Sequence, residues 1–148
     1  MIEVREVRPG DVTPLVRFYQ ASHAESEWSW APFSAAAARR SIRTMMRRSD
    51  HVALIALRDG QISGLLFGTV GAVLYGRTLY ATDLEFYAHG GGAELLQAFR
   101  EWAQGKGAKI RFHATAHPET EHRSAAKDRW FRSQGLERVG GMYQERFL

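Results

Sequence analysis

The chain has 148 residues, 45% of them hydrophobic and 24% charged, with no cysteine and a formal net charge of +4. That length and apolar content suit a single self-folding domain over residues 1–148 and exclude a disordered tail, while the lack of cysteine excludes disulfides, thiolate nucleophiles and cysteine-based zinc sites. The positive excess is too modest to argue for a nucleic-acid binder, and no stretch approaches a membrane span, so the expectation is a soluble, unexported, cytoplasmic protein without a membrane partner.

Residues 2–7 alternate Ile2, Val4 and Val7 with charged side chains, the pattern of an edge or half-buried strand. Thr13 and Pro14 read as a capping hydroxyl followed by proline at the first helical position, and Val12, Leu15, Val16 and Tyr19 form the apolar stripe of a helix that fades near His23 or Glu25. Trp28, Trp30 and Pro32 suggest a partly covered loop with at least one tryptophan buried. Ser34 caps a second helix whose core stripe is Ala38, Ile42, Met45 and Met46. Its arginines, Arg39, Arg40, Arg43, Arg47 and Arg48, read as a solvated face with no interleaved aromatics for stacking bases.

Residues 52–57 form a compact apolar strand. Asp59-Gly60 turns it tightly, and residues 62–70 return with Gly64 and Gly68 as bulges or close-approach points. Residues 78–87, rich in β-branched and aromatic side chains, form the central strand. Gly90, Gly91 and Gly92 then break the chain, and Leu95, Leu96, Phe99, Trp102 and Ala103 recur at helical spacing. A glycine turn at a helix N-terminus can bind an anion, because unpaired amides and the helix dipole favour negative charge there; relief of backbone strain is the alternative. Asp83 and Glu85, two apart on a strand, are expected to share one face. Past Gly105-Lys106-Gly107, Ile110, Phe112 and Ala114 alternate with Arg111, His113 and Thr115, a strand with the apolar set buried. Residues 116–120 make a polar loop, residues 121–134 a helix stopped by Gly135, and residues 137–148 a final strand kinked at Gly140-Gly141. The order β-α-α-β-β-β-α-β-α-β describes an α/β (α+β) fold, a mixed and mostly antiparallel sheet flanked by helices.

This order, with DLEFYAHGGGAELLQAFREWA at 83–103, WFRSQGLERVGGMYQERF at 130–147 and the hairpin VALIALRDGQISGLLFGTV at 52–70, resembles the GNAT superfamily of acyl-CoA-dependent N-acetyltransferases. His23-Ala24-Glu25-Ser26 and Asp83-Leu84 are most similar to small bacteriophage and prophage members. The resemblance implies acetyl-CoA as cosubstrate and no metal. The pantetheine arm would lie beside the central strand, with the cofactor held along Phe86, Tyr87, Ala88, His89, Gly90, Gly91, Gly92 and Ala93. It implies a carboxylate to deprotonate the acceptor amine, Glu85 first and Asp83 second, and a tyrosine to protonate the thiolate, a role for which Tyr143 or Tyr87 would stand as the substitute in this chain.

Two departures bear on activity. Against the family's "Q/R-x-x-G-x-G/A" loop, Gly91 and Ala93 fit, but Ala88 stands at the leading polar or basic position and the loop is short. The tyrosine of the closing "Y-x-x-x-G-F" falls at Phe131, which cannot donate a proton, and Leu136 takes the place of its phenylalanine. The leading reading is acetyl transfer to a small or protein amine. The alternative is a degenerate relative kept as a binding or structural module, such as a phage particle component, with phage proteins or a second copy as partners. A metal site built from His113, His117 and His122 ranks below both, since no carboxylate-plus-histidine set has a helical ligand frame.

Overall fold

A computed structural model describes residues 1–113, 121–140, 145 and 147. The elements are β1 (Ile2–Glu6), α1 (Val12–Ala24), α2 (Ala35–Arg47), β2 (His51–Arg58), β3 (Gln61–Ala72), β4 (Leu79–Ala88), α3 (Gly92–Gly105), β5 (Ile110–Phe112) and α4 (Glu121–Ser133), with 3-10 turns at Pro9–Asp11 and Glu27–Trp30. The chain divides into two compact units, Met1–Ala114 and Thr115–Leu148. The first holds a sheet in the order β1-β2-β3-β4-β5, antiparallel throughout except for the parallel β4–β5 pair. The expected mixed sheet with flanking helices is the fold that forms.

The two faces of this sheet follow from side-chain alternation. Ala53, Ile55 and Leu57 of β2 and Leu65 and Phe67 of β3 join Leu15 and Val16 of α1 and Ala38, Ile42 and Met45 of α2 in one buried cluster. The opposite face carries Val52, Leu54, Ala56 and Leu66, covered by Leu95, Leu96, Phe99 and Ala103 of α3. Gly64 and Gly68 lie on that second face. A Cβ at Gly64 would stand 2.9 Å from Leu95 Cδ1, and one at Gly68 would overlap the Phe99 ring, so the two glycines let α3 settle close to β3. The bulges sit elsewhere: Ser63 is the extra residue between the Ala56–Gly64 and Leu57–Ile62 pairs, and Leu84 the extra residue of β4.

Locally, the hairpin turn is as expected, with Asp59 and Gly60 at φ 50° and 79°. Ser34 caps α2 through Ala37 N, and Gly135 ends α4 at φ 83°, with Leu136 N bonded to Phe131 O. Four expectations are corrected. Asp11, not Thr13, precedes α1, whose first turn contains Thr13 and Pro14; proline is tolerated there because first-turn amides lack intrahelical acceptors. Both Trp28 and Trp30 are about half exposed, at 50% and 54%. On β5 the apolar set faces outward, Ile110 at 52% and Phe112 at 40% exposure, while Arg111 turns inward to donate 2.8 Å to Leu96 O. Residues 137–140 are not strand; the remainder of the expected final strand, apart from residues 145 and 147 (also not strand), lies outside the described residues, as do residues 114–120.

Candidate functional site

β4 is the strand from which the site is built. Its partners on β3 run Gly68↔Asp83 and then Phe67↔Glu85, so the Leu84 bulge shifts the alternation by one residue. Opposed residues on paired strands point to the same face. Asp83 therefore lies with Gly68 on the α3 side and Glu85 with Phe67 on the α1 side. The expectation that the two carboxylates share a face fails, because simple alternation does not survive an extra residue.

On the α1 face Glu85 Oε1 accepts a 2.8 Å hydrogen bond from Tyr19 Oη. Burial pushes the Glu85 carboxyl up, the Tyr19 hydrogen bond pulls it down, the Asp83 charge raises it and His23 lowers it. Two residues on, the Tyr87 hydroxyl donates to Glu25 Oε2 and meets His89 Nε2 at 2.9 Å, with the Phe18 ring edge-on at 5.7 Å. Burial and the Glu25 carboxylate push the Tyr87 hydroxyl up to about 12, so it donates and does not ionise near neutrality.

On the α3 face Asp83 Oδ2 stands 3.4 Å from His113 Nδ1, the two side chains 4% and 1% exposed. Phe86 and Phe99 flank the imidazole at 6.3 and 5.5 Å between centroids. The Asp83–His113 contact crosses from β4 to the residue just after β5. Among the described residues the β4–β5 ladder ends one step earlier, at Thr82↔Phe112. Beyond it β4 is paired only with β3, leaving its other edge without a strand partner among the described residues.

That open edge leads through Ala88 into the glycine turn. His89 N and Gly90 N donate to Ser63 O at 2.8 and 3.2 Å, and Ser63 Oγ donates 3.0 Å to Gly90 O, so the Ser63 bulge fixes the turn's first half. Gly91 is the N-cap of α3 at φ 83°, and a Cβ there would fall 2.6 Å from Ala56 Cβ; only glycine fits. No side chain caps α3, which leaves the amides around Gly92 and Ala93 as donors beside a positive dipole end. The Arg58 guanidinium, at the end of β2, lies against Gly90 so closely that a Cβ at Gly90 would overlap it. No carboxylate pairs with Arg58 among the described residues.

The fold thus brings Glu85, Phe86, Tyr87, Ala88, His89, Gly90, Gly91, Gly92 and Ala93 onto one strand-turn-helix path. Tyr143 lies outside the described residues, as do His117 and the side chain of His122. Among the described residues no three histidine or acidic side chains converge as a metal site requires. The sequence did not mark Tyr19, Glu25, Ser63 or Arg58 as site residues. Only Tyr19 carried a signal, since a tyrosine in a buried stripe needs a partner for its hydroxyl.

No protein-family model matches the sequence, and no curated protein matches it. Solved structures do match. A transcriptional regulator from Bacillus halodurans C-125 aligns with a TM-score of 0.77 at 18% identity, over 99% of this chain and 100% of its own. AAC(6')-Iy in complex with a bisubstrate analogue, CoA-S-monomethyl-acetylneamine, gives 0.75 at 14%, over 100% and 99%. A Trypanosoma brucei acetyltransferase gives 0.72 at 15%, over 99% and 100%. At these identities the likeness shows the fold, one shared with acetyltransferases.

Proposed function

We propose that the chain, acting as one domain, is an acyl-CoA-dependent N-acyltransferase that moves an acetyl group from acetyl-CoA to an amine. The observation that carries this reading is the course of β4, which among the described residues pairs with β5 only as far as Thr82 and runs on, with that edge unpaired among them, into the N-terminus of α3, which no side chain caps. Such an edge offers backbone hydrogen bonds to the amides of a pantetheine arm, and the helix start offers amides and a dipole to a pyrophosphate. The fold shared with AAC(6')-Iy, whose ligand contains CoA, supports the assignment.

In this reading Phe86, Tyr87 and Ala88 line the pantetheine path, and His89, Gly90, Gly91, Gly92 and Ala93 form the phosphate turn. Arg58 supplies the cation that Ala88 does not. The amine nitrogen attacks the thioester carbonyl carbon, the new C–N bond forms and the C–S bond breaks. Glu85 takes the proton lost from nitrogen, directly or through water, and the thiolate departs to be protonated by solvent. Asp83, paired with His113 on the opposite face, serves the β4–β5 junction instead.

A second reading, a binding module without catalysis, draws on the turn itself. Two of its amides are already spent on Ser63 O, which narrows the phosphate cradle. Calorimetric titration with acetyl-CoA and CoA, on wild type and Ala93→Glu, separates the two. Micromolar binding abolished by the added carboxylate supports the acyltransferase, and an amine screen follows. No heat at millimolar ligand would sink it and favour the module.

A further inference from the structure

Tyr19 sits on the inner side of α1 with its ring held edge-on between Phe33 at 5.6 Å and Phe67 at 5.5 Å. Two aromatic walls fix where its hydroxyl points. A phenylalanine would fill the same space, so packing alone does not call for a tyrosine. The hydroxyl meets the one carboxylate that the Leu84 bulge turns toward α1, donating to Glu85 Oε1 at 2.8 Å. Glu85 Oε2 accepts no hydrogen bond among the described residues. One oxygen is thus clamped and the other left open, an orientation a free glutamate would hold only part of the time.

Resting on the acyltransferase reading, we infer that Tyr19 is the positioning residue of the base: it holds Glu85 by Oε1 so that Oε2 faces the acceptor amine. The same bond favours the carboxylate form against its burial. The ionisable groups facing Glu85 are Tyr19 and His23 from α1, with Tyr87 two residues along the same face; Asp83 acts on it by charge alone from the opposite face of β4, and β3 contributes the uncharged Phe67. Burial and the adjacent carboxylate push the Tyr19 hydroxyl upward, so it stays a donor across the working range.

The test is Tyr19→Phe, which keeps the ring between Phe33 and Phe67. Below neutral pH, kcat/KM for the amine should fall roughly tenfold or more, with the acid limb displaced to higher pH. KM for acetyl-CoA should stay put, and the deficit should shrink in alkaline buffer. A uniform loss at every pH would overturn the inference and leave Tyr19 a packing residue. The second measurement needs no turnover: carbon-13 NMR titration of the Glu85 carboxyl in both proteins. An unmoved midpoint overturns the inference outright. A midpoint that rises in a protein inactive toward every amine overturns the acyltransferase reading, and the catalytic role of Tyr19 falls with it.

Discussion

A carboxylate drawn out of water needs a donor, and the strand glutamate at the centre of this site finds one on a neighbouring helix. Glu85→Gln keeps the shape and removes the base, so kcat should drop by about a hundredfold to ten-thousandfold in steady-state assays. Its thermal midpoint should hold or rise, because a partly buried charge has gone. Asp11 is the opposite case. Arg5 donates to both of its oxygens at 2.6 and 3.0 Å and holds the carboxyl below its usual range. A depressed folded-state pKa stabilises the fold above the unfolded carboxylate value and ceases to do so as pH falls through the folded one. Asp11→Asn should therefore lower the urea midpoint at pH 7, with the difference from wild type vanishing in strong acid. Arg58→Gln should weaken CoA binding roughly tenfold in calorimetry, less at high salt, and leave acetyl-pantetheine, which lacks the pyrophosphate, unaffected.

Elements meet here through glycines and bulges. Gly68 faces Phe99, a fully buried ring of α3, with no room for a methyl group. Gly68→Ala should cost about 1–3 kcal/mol in urea unfolding, and Phe99→Leu in the same chain should recover part of it by vacating the clash. At the start of α3, Ala93→Glu places an anion on the favourable end of the dipole. Its thermal midpoint should hold or rise slightly while CoA affinity falls, which separates loss of ligand from loss of fold. The hairpin at Asp59-Gly60 and the glycine stop of α4 were legible because both depend on a positive φ that few residues adopt. The phase of β4 was not legible. Nothing in Asp83-Leu84-Glu85 marks Leu84 as the unpaired residue; that depends on how β3 registers against it. The outward turn of Ile110 and Phe112 was hidden for a similar reason, since alternation names two faces without saying which one α3 will cover.

For the molecule as a whole, a ligand that binds only the folded chain must stabilise it. Acetyl-CoA at a hundred times its dissociation constant should add about 2.7 kcal/mol, an upward shift of a few degrees in the thermal midpoint by calorimetry. The sequence by itself determined the element types and order from β1 to α4, the glycine break before α3 and the strand that carries the carboxylates. Those features follow from local periodicity and from backbone angles that only certain residues tolerate. Tertiary structure alone decided that Glu85 faces Tyr19 while Asp83 faces His113, and that Arg58 reaches Gly90. Each of these pairings joins residues far apart in the chain. Each depends on strand register and on the seating of α1 and α3, which are properties of the packed sheet and of no single stretch.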